Sequence, residues 1–158
     1  MVNIAIVPGE GKEDGINEVD NGFADAISAS VVYKTDTLYA AFAMDDSVGG
    51  LDSIRLVGQV KVEDAKIGLI YQISEPSEGL GDDEDGIILS ASYKVGKETL
   101  KFQYGVSDMK KSGLEQVSIG IDHKLEKKTK LYAFLTTTTA DDDAEEEMII
   151  AAGIQHKF

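Results

Sequence analysis

Apolar and polar residues take turns along most of this chain, and that rhythm constrains its fold more than any other feature. It is cleanest in Gly86–Val95 and Thr99–Ser107. One register there holds Ile87, Leu89, Ala91 and Tyr93, then Leu100, Phe102, Tyr104 and Val106. The other holds Ser90, Ser92 and Lys94, then Lys101, Gln103, Gly105 and Ser107. A period of two sends successive side chains to opposite faces of a β-strand, so each strand has one apolar and one polar face. In Ile54–Val62, Ile54, Leu56, Val60 and Val62 alternate with Arg55, Val57, Gln59 and Lys61. In Ala65–Ser74, Ile67, Leu69, Tyr71 and Ile73 alternate with Lys66, Gly68, Ile70 and Gln72. In Glu115–Leu125, Val117, Ile119 and Ile121 alternate with Gln116, Ser118, Gly120, Asp122 and Lys124. Ala24–Lys34 and Thr37–Asp45 follow the same rule. Thr129–Thr139 is less clear, because Leu131, Ala133 and Leu135 oppose Tyr132 and Phe134. Val2–Val7 and Met148–Phe158 complete ten strand candidates, with no helix.

The breaks between these runs fall into two kinds. Thr35-Asp36, Glu63-Asp64, Gly96-Lys97-Glu98 and Glu126-Lys127-Lys128 are short turns. Glu10–Gly22, Asp46–Asp52, Glu75–Asp85, Asp108–Gly113 and Ala140–Glu147 read as longer loops. The expected architecture is all-β: an antiparallel up-and-down meander with connections strictly alternating long and short. Charge follows the same division. Of 29 acidic residues, 20 lie in or at the edges of Glu10–Asp20, Asp45–Asp52, Glu75–Asp85 and Asp141–Glu147. Of 15 basic residues, eleven lie at or near the short-turn side. One end of the sheet is therefore acidic and the other basic.

Composition removes several classes. A formal net charge of −14 argues against nucleic acid as a partner. There is no Cys, hence no disulfide and no thiolate metal site. No apolar run is long enough for a transmembrane helix. The start, MVNIAIVPGE, lacks the basic region and apolar core of a secretory signal, so no signal peptide is expected within this chain. Asp82–Gly86 (DDEDG) and Asp141–Glu147 (DDDAEEE) offer hard oxygens that suit calcium or magnesium, but without EF-hand spacing. They read as solvated loops that bind divalent ions loosely, so no metal site and no cofactor are expected. His123 and His156 are the only histidines, and neither has a Ser or Asp placed for a catalytic triad. The chain is not expected to be an enzyme.

The last eleven residues, MIIAAGIQHKF, carry a resemblance. Met148, Ile150, Ala152, Ile154, His156 and Phe158 fall on one register, closing on an aromatic. About ten residues is the length that a tilted strand needs to cross a bilayer. The Gly-x-x-His-Lys-Phe ending resembles that of the general (trimeric) Gram-negative outer-membrane porins. GFADAISASVVY, RLVGQ, DGIILSASYKVG, TLKFQYG and KLEKKTKLYAF look like successive strands from the second half of such a porin. Short turns on one side and longer loops on the other also mark outer-membrane barrels.

The resemblance implies part or all of an outer-membrane β-barrel, formed by residues 1–158 as a single porin-type domain. It matches the C-terminal ten strands of a sixteen-stranded porin, so a fragment or truncated reading frame is expected. The family's constriction loop and first strands have no counterpart here. The implied function is passive diffusion of small hydrophilic solutes and ions through a water-filled barrel in the Gram-negative outer membrane. The alternatives are a soluble all-β binding module, or a non-conducting small outer-membrane barrel with a structural or adhesive role. Candidate pore-lining residues are Arg55, Gln59, Lys61, Lys66, Gln72, Ser90, Ser92, Lys94, Lys101, Gln103, Gln116, Ser118, Asp122 and Lys124. Arg55, the single Arg, is either one of the family's basic wall residues or a solvated wall residue. Ile150, Ala152, Ile154, His156 and Phe158 are the candidate assembly signal. Tyr33, Phe42, Tyr71, Tyr93 and Tyr104 are candidates for interfacial girdles or simply β-formers. Implied partners are outer-membrane lipid and lipopolysaccharide, the barrel-assembly machinery and, at full length, two further copies in a homotrimer. The acidic loops, which would face the exterior, predict a weak preference for cations.

Overall fold

The computed structural model describes residues 1–7, 26–77, 82–108, 113–140 and 146–158. They form β1 (Val2–Val7), β2 (Ala26–Lys34), β3 (Leu38–Val48), β4 (Leu51–Val62) and β5 (Ala65–Pro76). β6 (Glu84–Val95), β7 (Glu98–Ser107), β8 (Leu114–Lys124), β9 (Thr129–Ala140) and β10 (Glu146–His156) follow. Every strand pairs antiparallel with the next, and the order across the sheet is the order along the chain. Among the described residues no ladder joins β10 back to β1, so these two strands are the edges.

Directly opposed residues of neighbouring strands share a face, so register decides what each face is made of. On one face Lys61 opposes Lys66, Lys66 opposes Ser92, and Ser92 opposes Lys101. On the other, Ile67 opposes Ala91, Ala91 opposes Phe102, Phe102 opposes Ile119, and Ile119 opposes Leu135. Leu135 in turn opposes Ile150. The ambiguous β9 is settled by its partners. Tyr132 opposes Asp122 and Gly153, and Phe134 opposes Gly120 and Ala151, so both aromatics lie on the polar face.

Glycine makes room for them. A Cβ on Gly153 would sit 2.6 Å from the Tyr132 ring, and one on Gly120 3.4 Å from Phe134. The two rings stack with centroids 6.5 Å apart. An aromatic laid over a cross-strand glycine covers backbone that would otherwise be bare.

The sheet has almost no interior. Among the described residues Ala26 is the one buried apolar residue. Ile67 is 52% exposed, Ile119 54% and Ile150 73%. Covering one such side chain is worth roughly 1.5–3 kcal/mol. No second layer covers the apolar face among the described residues, as a soluble sandwich would require.

One expectation fails. Asp46–Asp52 is not a loop, and the connections do not alternate strictly in length. β3 and β4 run into that stretch and are joined by Gly49 and Gly50 alone. Both glycines have positive φ, +65° and +80°, which a side chain disfavours. The register shifts between Asp45 and Val48, where Ser47 also has positive φ, +57°. The Asp52 carboxylate holds this bulge: the Ser47 N–H and the Ser77 hydroxyl both donate to it, each at 2.7 Å. A Gly-Gly pair thus permits a tight hairpin where acidic, Gly-rich composition reads as loop. Smaller differences fall at strand ends. The Leu125–Lys128 turn has four residues, and β10 stops at His156, two residues before Phe158. Of the other expected loops, Glu10–Gly22 and residues 78–81, 109–112 and 141–145 lie outside the described residues, while Glu84 and Asp85 open β6 and Glu146 and Glu147 open β10.

The turn sets a test. Gly50→Ala should lower unfolding stability by about 1 kcal/mol, the cost of a left-handed conformation with a side chain. Gly58→Ala, at a strand position with open space, should be neutral or slightly stabilising. Urea titration of the detergent-folded protein followed by circular dichroism reads both.

Candidate functional site: the polar face of the sheet

The polar face encloses a hollow of about 820 Å³. Its lining includes Gln59, Lys66, Ser90, Ser92, Lys101 and Gln103, and further along Gln116, Ser118 and Asp122. Register places all fourteen residues singled out above on this one face. Gln59, Ser90, Gln103 and Ser118 lie along one row through Gly68. Lys61, Lys66, Ser92 and Lys101 form the next row towards the short turns. Lys94 and Asp122 both flank Thr99, and Lys124 opposes Lys130. Arg55 and Gln72 oppose each other nearer the loop end, and Gln116 opposes Gly105.

Alternation alone leaves out five residues on this face: Lys130, Tyr132, Phe134, Thr136 and Gln155, all lining the hollow. Four of them are on β9, whose own alternation is blurred by aromatics on the polar side. The glycine at Gly153 is the available signal, since it leaves a gap on the polar register that the Tyr132 ring fills.

Charge on this face is organised around Asp122. Its Oδ2 accepts from Lys101 Nζ at 2.7 Å and Lys130 Nζ at 2.5 Å. The carboxylate is largely shielded, at 14% exposure, while both lysines are more open. Lys61 faces Lys66, and Lys124 faces Lys130, as directly opposed like charges. Such pairs are destabilising in a sheet. The loop-end half is built differently, by a chain of hydrogen bonds that starts at the charged Arg55 guanidinium and continues through uncharged groups. Arg55 donates through Nε and Nη2 to the Gln72 carbonyl oxygen. Gln72 Nε2 donates to Ser74 Oγ at 3.1 Å, and Ser74 Oγ lies 2.8 Å from Ser53 Oγ. Arg55 is thereby held along the wall. Further on, Gln116 donates to Ser118, whose hydroxyl is 2.9 Å from that of Thr136.

The apolar face holds the other singled-out residues. Ile150, Ala152, Ile154 and His156 share it on β10. Phe158 stands beyond the strand with its ring edge-on to His156, centroids 5.3 Å apart. Tyr33, Phe42, Tyr71, Tyr93 and Tyr104 lie on the same face; Tyr33 and Tyr93 are close to the short turns, and Tyr71 and Tyr104 are mid-strand. Each histidine has one side-chain partner here. His123 Nδ1 is 2.7 Å from Glu98 Oε1, and His156 Nδ1 is 2.8 Å from Thr129 Oγ1. Among the described residues no group of His, Asp and Glu is placed to hold a metal ion.

A polar wall backed by an apolar sheet is matched by comparison with known proteins. A family model described as Gram-negative porin matches residues 2–143. No curated protein matches the chain in sequence. Among solved structures, the anion-selective porin from Comamonas acidovorans superposes with a TM-score of 0.77 at 24% identity, covering 99% of this chain and 56% of that one. In vitro folded OmpT, an outer membrane protein of Vibrio cholerae, superposes with a TM-score of 0.61 at 15% identity, covering 83% and 55%. The trimer form of that protein gives 0.56 at 17% identity, covering 82% and 53%. The chain spans just over half the length of these structures, and at these identities their likeness is one of fold. With the family model matching residues 2–143 of 158, the chain belongs to the Gram-negative porin family.

Proposed function

We propose that this chain forms the wall of a water-filled pore in the Gram-negative outer membrane, through which small hydrophilic solutes and ions diffuse passively. One observation carries the reading: a continuous ten-stranded sheet, polar on one face and apolar on the other, that buries almost nothing in itself. The apolar face is covered by lipid and the polar face lines water. No catalytic group is needed, only a wall whose backbone hydrogen bonds are met within the sheet. The fourteen residues from Arg55 to Lys124 line the water, together with Lys130, Tyr132, Phe134, Thr136 and Gln155. Ile150, Ala152, Ile154, His156 and Phe158 present the assembly machinery with an apolar stripe. Lipopolysaccharide meets the acidic loop end through bridging divalent ions. The unpaired edges β1 and β10 pair with further strands in a closed, sixteen-stranded wall. Three such barrels assemble, as in the Vibrio cholerae trimer form. The same two edges favour one other reading, a small outer-membrane barrel that closes on itself and does not conduct, because barrel width grows with strand number.

The lysine-rich face opposes the cation preference expected from the acidic loops. Lys61, Lys66, Lys94, Lys101, Lys124 and Lys130 share it with Asp122 in the short-turn half. We place the selecting field there and assign a preference for anions, the property named for the Comamonas acidovorans porin.

Planar-bilayer recording of the refolded chain tests this, with heat-modifiable gel mobility to confirm folding. Steady ohmic steps are expected; a folded chain that never conducts would leave the non-conducting barrel, and a detergent-free soluble monomer would end the membrane reading. In a salt gradient the reversal potential should report anions. Asp122→Asn should raise the anion-to-cation ratio about fourfold, since one charge some 10 Å from the ion path in water shifts each ion about twofold, in opposite senses. Lys101→Gln should lower it by a similar factor.

A further inference from the structure

A second hollow, of about 300 Å³, lies at the short-turn end, where β7, β8, β9 and β10 converge. Six of its lining residues are lysines: Lys97, Lys124, Lys127, Lys128, Lys130 and Lys157. Two are acidic, Asp122 and Glu126. The chain as a whole carries 29 acidic and 15 basic residues, so this balance is inverted locally. Asp122 is already engaged by Lys101 and Lys130. Nearby Glu98 is turned to the opposite face, against His123.

The lysines are gathered by backbone bonds, not by mutual attraction. The Lys124 N–H donates to the Lys97 carbonyl at 2.8 Å, fixing one turn against β8. The Lys157 N–H donates to the Lys128 carbonyl at 2.9 Å, fixing the next turn against the end of β10. Register then opposes Lys124 to Lys130 directly. Three segments thus bring lysines to line one small volume, against their own repulsion. An anion in that volume would turn the repulsion into attraction, and a multiply charged one would engage several lysines at once. Lysine serves here as a mobile point charge, suited to oxyanions of varied shape.

We infer that this hollow is a binding site for a small multivalent oxyanion, of the phosphate or polycarboxylate class. Thr99, Asp122, Lys124, Lys130 and Gln155 belong to the polar face by register, so the site opens to the water side of the sheet and takes a soluble anion, not a lipid headgroup. The inference rests on the lysine geometry and holds whether or not the chain conducts.

Titration calorimetry with inorganic pyrophosphate, on the full chain folded in zwitterionic detergent at low salt, tests it without any conductance readout. Saturable one-to-one binding is expected. Lys124→Gln with Lys128→Gln should weaken it about tenfold, the effect of removing two of several charge-assisted contacts. Lys127→Gln, in an exposed turn where folding is not at stake, should weaken it about threefold. Lys34→Gln, on the same face but six strands from β8, should leave the affinity unchanged. Binding that does not saturate, or that falls equally with Lys34→Gln, would show only a diffuse field and overturn the site. Loss of pyrophosphate binding when phosphatidylglycerol is added to the micelles would assign the lysines to lipid and also overturn it.

Discussion

The antiparallel backbone ladder is what the rest of this molecule depends on. A wall set in hydrocarbon has no water to satisfy its N–H and C=O groups, so every strand must find both partners within the sheet. From β2 to β9 the chain meets that demand in the simplest way, each strand pairing with both its sequence neighbours. Because register is fixed by the ladder, it also fixes which side chains share a face. A slip of one residue would carry Lys61, Lys66 and Lys101 to the apolar side and Ile67 and Phe102 to the polar side. Fold and function are therefore decided by the same hydrogen bonds. Among the described residues the ladder stops at β1 and β10, and each edge presents a row of backbone groups facing away from the sheet.

Much of this architecture is legible in the sequence, and for a physical reason. A sheet wet on one side and greasy on the other must write its two environments into alternate residues. Each strand then reveals its faces without knowledge of its neighbours. That is why β6 and β7 can be read residue by residue, and why all fourteen wall candidates fall on one face. Legibility fails where a feature depends on a partner strand. Tyr132 and Phe134 are apolar, and only Gly153 across the ladder shows why the polar face can take the Tyr132 ring. The tight turn at Gly49-Gly50 is hidden differently. Asp45, Asp46 and Asp52 resemble loop composition, yet Asp52 holds the bulge that lets the hairpin close. The lysine hollow is half legible: Lys124, Lys127, Lys128 and Lys130 crowd one turn in the sequence, but Lys97 and Lys157 join them only through backbone bonds across the ladder.

The two halves of the polar face solve different problems. Towards the loops, Arg55, Gln72, Ser74 and Ser53 are locked in a relay in which each group has a neighbour. Such a surface is firm, and its one charge is the Arg55 guanidinium, spread over hydrogen bonds to Gln72. Towards the short turns the surface is charged, and Asp122 is the one wall carboxylate against a crowd of lysines. An ion pair this close to water contributes little to stability, commonly less than about 1 kcal/mol. Asp122 therefore does more to set the charge of this face than to hold the fold.

Lysine pairs facing each other across a ladder are costly, and the chain keeps two of them, Lys61 with Lys66 and Lys124 with Lys130. The chain is rich in acid, and a Glu at any of these positions would have turned repulsion into attraction. In the sequence, 20 of its 29 acidic residues fall instead in or at the edges of four of the stretches that read as longer connections. A sheet selected for stability alone would mix the two signs, because interspersed charges support one another along a face. Here the short-turn end of the polar face instead gathers its lysines together, with Asp122 bridging Lys101 and Lys130. The repulsion of the lysine pairs is the cost of that gathering, and an anion resting among them would relieve it.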